Sequence, residues 1–465
     1  MNGGSVDGAT PAIVGAAQTI QRPDTSASVA DLRGPIELMV DAARDAAEDA
    51  GCPRLLSRVD WVGVVGGFWS YQNPGKLIAE RIGSPDAGTC LTFLSGTSPQ
   101  ELVSLASQRI ADGELEVALV VGGEARWSRE RLQREGIEAQ WCKDPGTGEP
   151  ERIADIPEEV IVETLELGGP VTFYALFEDS LRRASGASVD EHRDRIAALW
   201  SRFNDVAVAN PYSWDRRAYD AKTIRDPAPD NRMIAFPYAK SMVANNLVDM
   251  ASAVLLCSVD AARSAGVAAD RMVFPRIGTT SHETWTVAQR RLLHGVPALA
   301  AAGQAALRES GLVIEEIEHI DLYACFPSIV QMSAAALGID LERPLTVTGG
   351  LGFAGAPIAN SSGHAIAAMV PLVREGGDGL VHANGGCATK HAFGIYSTTP
   401  PAAYRYIDCN DQVDHDPRPA GPPGDPAGGI EEASTVVYDR SGPTHTVASL
   451  VTPDGCRVFT KTPVA

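Results

Sequence analysis

Residues 348–364 read Thr-Gly-Gly-Leu-Gly-Phe-Ala-Gly-Ala-Pro-Ile-Ala-Asn-Ser-Ser-Gly-His. Small residues come first, a polar Asn-Ser-Ser cluster follows, and an apolar run begins at Ala365. Glycine and alanine let the backbone approach a ligand closely, and a helix start offers unpaired N–H groups. The stretch therefore predicts a backbone-exposing loop that runs into a buried helix.

The chain around it alternates strands and helices. Residues 11–18 are a short apolar run, 35–50 have helical spacing and stop at Gly51-Cys52-Pro53, and 59–65 read as the next strand. Strand, helix, strand in this order implies a parallel sheet covered by helices. Ser95-Gly-Thr-Ser-Pro-Gln100 leads into a helix over 101–112 with a capping-type start, Gly113 closes it, and 117–124 are a strand. Residues 318–328 and 379–391 each read as a strand running into a turn, so the two halves suggest a duplicated α/β unit. Residues 408–432 are rich in Asp, Pro and Gly, a linker by composition. Strands expected at 433–439, 444–451 and 457–461 make a small β module beyond it, removable without unfolding the rest.

At 465 residues the chain holds two or three cores. A formal charge of -20 with no Lys/Arg stripe argues against nucleic acid and anionic membrane as partners. The first ten residues lack a basic n-region and an apolar h-region, and no run reaches the length of a membrane span, so the expected location is cytoplasmic. Eight cysteines are dispersed with no CxxC pair, which reads as buried small hydrophobes, and no structural metal is indicated.

Four stretches together carry a family likeness. They are 231–240 (Asn-Arg-Met-Ile-Ala-Phe-Pro-Tyr-Ala-Lys), 322–328 (Leu-Tyr-Ala-Cys-Phe-Pro-Ser), the glycine loop with Gly355-Ala356-Pro357, and Asn384-Gly-Gly with Lys390-His391. From about residue 10 to 398 the chain resembles the thiolase superfamily, most closely the group called thiolase-like protein type 1, often labelled acetyl-CoA acetyltransferase. The resemblance implies an α/β thiolase fold, a duplicated five-layer α-β-α-β-α core with an inserted loop domain, plus a small C-terminal all-β module. The corresponding division is an N-terminal thiolase domain (10–124 and 241–270), a loop domain (125–240), a C-terminal thiolase domain (271–399), a Pro/Gly-rich linker (400–432) and the β module (433–465). Members of the group add a C-terminal β-barrel, and 433–465 looks short for a closed one.

By the same resemblance, thiolases use a nucleophilic Cys, a second Cys as acid/base, a His that activates the first, and an Asn or His that holds the oxyanion water. Residue by residue these positions hold Gly96, Asn384, Ala356 and Tyr323. Glycine, alanine and a neutral amide cannot act as nucleophile or proton shuttle, so an acyl-enzyme through this cysteine slot is excluded. The oxyanion hole needs only backbone N–H groups, here those of Gly96 and Gly386. Tyr323 is then the acid/base candidate, or an interior aromatic at a strand end. His364 is a further candidate or a cap and packing residue, and Cys387 is an open nucleophile or a structural thiol. Cys325 reads as core, while Lys390 and His391 line the site or serve elsewhere. Two functions follow. One is an acyl-CoA enzyme of lipid metabolism, an acyltransferase or aldolase-type lyase acting on a C–C bond without a cysteine. The other is a non-catalytic CoA-ester-binding or scaffold protein. Neither needs a cofactor beyond the coenzyme A ester as substrate or ligand, and the partners implied are acyl-CoA, a second copy of the chain or a β-barrel protein.

Overall fold

The computed structural model describes residues 6–22, 28–146, 148–153, 157–419 and 426–464. The first five residues, read above for a targeting signal, and 420–425 of the expected linker lie outside these ranges.

The first half runs β1 (Pro11–Ile20), α1 (Pro35–Asp49), β2 (Trp61–Val64), α2 (Pro74–Ile82), β3 (Gly88–Leu91), α3 (Ser98–Ala111) and β4 (Val117–Ala125). An insertion follows with α4 (Arg126–Glu135), β5 (Glu151–Arg152), α5 (Glu158–Glu166), α6 (Pro170–Ser185), α7 (Val189–Ala209), α8 (Ala221–Arg225), β6 (Met233–Ala235) and β7 (Tyr238–Ala239). The chain returns through β8 (Asp249–Ser258) and α9 (Val259–Ala265). The second half is β9 (Phe274–His282), α10 (Pro297–Ser310), β10 (Ile317–Asp321), α11 (Pro327–Leu337), α12 (Ser361–Glu375), β11 (Asp378–Gly385), β12 (Lys390–Ser397) and β13 (Tyr406–Asp408). Last come β14 (Ile430–Tyr438), β15 (Pro443–Val451) and β16 (Arg457–Pro463).

The sheets show the duplication that the residues only suggested. One sheet contains the order β1-β8-β4-β2 and the other β9-β12-β11-β10. In both, the first two pairings are antiparallel and the third parallel. Helices α3 and α12 lie against each other between the sheets, α12 touching β1, β8 and β11, and α3 touching β4, β9 and β12. α1 covers the outer face of the first sheet and α10 that of the second, which completes five layers.

A helix in the middle layer has no solvent face, and the sequences of α3 and α12 answer to that. Leu102, Val103, Ala106 and Ile110 of α3 are buried, and so are its Gln100, Ser104 and Ser107. These polar groups are satisfied internally, Gln100 donating to Ser104 at 3.1 Å and accepting from the Tyr396 hydroxyl at 2.8 Å. α3 begins at Ser98, three residues earlier than expected, and the expected cap is absent. Thr97 stands at the N-cap in helical dihedrals, its hydroxyl 2.7 Å from that of Ser95 instead of on the helix.

The tail departs from expectation. β13 falls inside the expected linker and pairs in parallel with β9, with Tyr404 and Cys409 buried beside it. The β module does not stand apart either. Its strands continue through β14 onto β6 and β7 of the insertion in a five-stranded sheet. Ala433 and Val447 are fully buried in the same apolar cluster as α6 and α11. Phe459 packs edge-on to Phe173 at 5.4 Å, and the buried Arg457 donates to the Val287 carbonyl at 2.9 Å while pairing with Glu432.

Among the described residues no single helix is long and apolar enough to cross a membrane.

Candidate active site

Three chain segments meet where the central strands end. The loop after β3 delivers Gly96 at the start of α3, the end of β10 delivers Tyr323 and Cys325, and the end of β11 delivers Asn384 and Gly386. The glycine loop before α12 closes the ring with Ala356 and Ile358. Together they line a cavity of about 320 Å³. In sheets of this kind ligands bind at the carboxyl ends of parallel strands, and the cavity lies there.

Gly96 is glycine because its side-chain space is taken. A Cβ there would lie 2.5 Å from the Tyr323 hydroxyl oxygen and 2.8 Å from Cζ, and closer still to the Asn384 carbonyl. The Ser362 hydroxyl donates to the Gly96 carbonyl at 2.8 Å and fixes that peptide. Gly386, at φ 64°, sits in a turn closed by Thr389 N–H on the Gly385 carbonyl at 3.0 Å. Neither the Gly96 nor the Gly386 N–H has a protein acceptor among the described residues. Two unpaired donors at one cavity are what a developing oxyanion requires.

The loop at Ala356 is held by its backbone. Its N–H donates to the Asn245 carbonyl at 2.9 Å, and its own carbonyl accepts from Ile358 N–H at 2.7 Å across Pro357. This tight turn leaves Ile358 at φ 51°, which is strained for a β-branched residue and clusters with the cavity it lines.

Tyr323 is 8 % exposed, and burial, with Cys325 beside it, pushes its hydroxyl well above the usual phenol range, while the Ser361 hydroxyl draws it part of the way back. Its hydroxyl therefore keeps its proton in the free protein. Cys325, buried in the apolar core as expected, also lines the cavity, with its thiol pushed up to about 12 by burial. Asn384, 2 % exposed, donates to the Tyr174 hydroxyl at 2.8 Å, and its Oδ1 has no partner.

His364 and Cys387 do not line the cavity. The His364 ring is directed at Gln18 of β1, Nδ1 2.9 Å from Oε1, and burial lowers its pKa to about 3. It lies one turn into α12, which touches the site through Ser362 on the Gly96 carbonyl. Cys387 is 1 % exposed, 3.6 Å from the Thr164 hydroxyl, and burial pushes its thiol up to about 11. A thiol so held is no nucleophile. Lys390 pairs with Glu101 at 3.1 Å, and His391 is buried against His382 at 3.3 Å, its pKa pushed well below the usual range by burial. Neither lines the cavity.

Two residues that hold the site gave no signal in the chain. Tyr174, in α6 of the insertion, accepts from Asn384 and from Ala388 N–H at 2.9 Å and donates to the Gly386 carbonyl at 3.1 Å, tying the 384–388 turn together. The buried Arg290 grips the same turn from behind, donating to the Cys387 and Ala388 carbonyls at 2.7 and 3.1 Å and to the Thr389 hydroxyl at 2.7 Å.

Compared with known proteins, the chain matches no family model and no curated relative. Solved structures do match. The crystal structure of a monomeric SCP2-thiolase-like protein type 1 from Mycobacterium smegmatis is 31% identical, covering 98% of this chain and 92% of its own, with a TM-score of 0.82. The Ltp2-ChsH2(DUF35) aldolase is 19% identical over 83% of this chain and 97% of its own, TM-score 0.63. Human mitochondrial 3-ketoacyl-CoA thiolase is 17% identical over 84% of this chain and 99% of its own, TM-score 0.59. The two more distant matches share the fold. With the first of these likenesses sustained along nearly the whole length of both proteins, the chain belongs to the thiolase superfamily, among the SCP2-thiolase-like proteins of type 1.

Proposed function

We propose that this protein binds acyl-CoA thioesters in the 320 Å³ cavity and makes or breaks a carbon–carbon bond beside the thioester carbonyl without a cysteine. The observation that carries the proposal is the Tyr323 hydroxyl standing in the side-chain space of Gly96, beside the unpaired N–H groups of Gly96 and Gly386. In the cleaving direction the C2–C3 bond of a 3-hydroxyacyl thioester breaks and its electron pair becomes the enolate, whose oxygen the two N–H groups stabilise. Tyr323 gives its proton to C2 and is reprotonated by the one that the 3-hydroxyl releases as it becomes a carbonyl. No net oxidation occurs.

For the coenzyme A portion, support comes from a cleft of about 530 Å³ lined by Trp127, Trp214, Arg217 and Lys240, which shares Val243 and Ala244 with the cavity. The protein partner this reading expects is a second copy of the chain or a β-barrel protein, and the similar Ltp2 aldolase is itself paired with ChsH2(DUF35).

A second reading, a CoA-ester-binding or scaffold protein without turnover, is favoured by the absence of any carboxylate, imidazole or ammonium among the described residues lining the cavity. Calorimetric titration with acetyl-CoA and a 3-hydroxyacyl-CoA, followed by turnover of the latter, separates the two. Tyr323→Phe removes one hydroxyl and keeps the ring, so turnover should fall roughly 10²–10⁴-fold with binding retained. Binding without turnover in the wild type selects the second reading, and no binding removes both.

A further inference from the structure

We propose that Asn384 determines substrate specificity in this cavity, its Oδ1 accepting a hydrogen bond from the 3-hydroxyl of the bound acyl group. The proposal rests on the thioester reading above.

The orientation of the Asn384 amide follows from its neighbours. The Tyr174 hydroxyl has one proton, which goes to the Gly386 carbonyl at 3.1 Å, and it accepts from Ala388 N–H at 2.9 Å. Its remaining lone pair can only take a donor, so the Asn384 NH₂ faces Tyr174 at 2.8 Å. Turning the amide over would claim the tyrosine proton and leave the Gly386 carbonyl unpaired. Oδ1 is thereby held away from Tyr174, in a side chain that lines the cavity and is 2 % exposed, with no donor among the described residues.

A buried acceptor without a partner is costly, and a ligand that supplies the donor removes that cost. The other free groups set the rest of the pattern. Gly96 N–H and Gly386 N–H offer donors, which suit the thioester carbonyl oxygen. A ligand that matches all of them carries an acceptor oxygen and, close by, a hydroxyl. A 3-hydroxyacyl thioester has this arrangement, since its hydroxyl-bearing carbon is separated from the carbonyl carbon by a single methylene. The straight-chain acyl thioester of equal length leaves Oδ1 unpaired, and sites that hydrogen-bond a hydroxyl reject the analogue lacking it.

The test compares a 3-hydroxyacyl-CoA with the 3-deoxy acyl-CoA of the same chain length by calorimetry, in the wild type, Asn384→Leu and Tyr174→Phe. The wild type should bind the hydroxylated ester at least roughly tenfold more tightly. Asn384→Leu should bind the two equally, and Tyr174→Phe, which frees the amide to rotate, should narrow the gap even where the leucine variant does not fold. Equal affinities in the wild type, or a preference that survives intact in both variants, would overturn the role of Asn384 while leaving the thioester reading in place. If the wild type binds neither ester, the thioester reading itself falls and this proposal falls with it.

Discussion

Restoring the thiolase nucleophile by Gly96→Cys should not restore a thiolase, and the structure says why on two counts. The first is steric. The new Cβ would stand 2.5 Å from the Tyr323 hydroxyl oxygen, half an ångström inside the 3.0 Å below which Cβ contacts essentially do not occur, and nearer still to the Asn384 carbonyl, which is backbone and cannot swing aside. Overpacking of this kind costs about 1–3 kcal/mol. With each kcal/mol worth about 2–4 °C for chains of 150–250 residues and less for longer ones, melting should fall by several degrees. The second count is chemical. The thiol would meet Ala356 and Asn384, at the positions that the family likeness gives to the activating histidine and the second acid, so it has no base to ionise it. Thermal melting, thiolysis of a 3-ketoacyl-CoA and intact-mass measurement after acetyl-CoA make up the assay. Adding Tyr323→Ala should recover part of the lost stability and none of the activity. An unchanged melting temperature would refute the steric argument, and an acetylated Cys at position 96 the chemical one.

Truncation after Thr399 should unfold much of the protein, because it uncovers the cluster that Ala433 and Val447 close and removes the Arg457 bonds to the 287–291 loop; a far-UV spectrum and melting curve matching those of the full chain would show the tail to be dispensable. Cys387, buried and with its thiol held up to about 11, should resist alkylation in the native protein and react after denaturation, as read by peptide mapping. Arg290→Met should cost about 2–4 kcal/mol, since three buried bonds from a charged donor are lost, and Arg290→Lys should not rescue it because an ammonium cannot span the same three acceptors. Burial pushes Glu124 up from the usual 4.5 to about 7, with Phe68 N–H on Oε1 at 2.5 Å and Oε2 unpartnered. Its folded pKa lies above the unfolded one, so its stabilising contribution is full below about pH 4.5 and is lost as pH rises through about 7. Glu124→Gln should flatten the fall in melting temperature between about pH 4.5 and 7, and an unaltered slope would count against the assignment.

The sequence by itself carried the alternation of elements and the glycine loop entering a buried helix. These are local features: periodicity, turn residues and motif spacing each act within a dozen residues, so a linear reading reaches them. It also brought Gly96, Tyr323, Ala356, Asn384 and Gly386 together, through the family likeness, and the cavity contains all five. What fills the cysteine slot was beyond it. Tyr323 and Gly96 are distant in the chain and meet only because the two sheets pack on a shared helical layer. The same separation hid Tyr174 and Arg290, one in an insertion that reads as polar and the other an arginine without a motif, both made important by a turn they do not belong to. His364 and Cys387 looked functional because they lie near site residues in the chain, but the helix bearing His364 turns its side chains through about 100° per residue and Cys387 sits in the turn after β11 facing Thr164, so sequence proximity does not say which side chain faces the cavity. The tail was misjudged for a related reason. Proline and glycine content reports local stiffness, whereas the pairing of Val437 with Ala235 is a long-range backbone contact that only the folded sheet supplies.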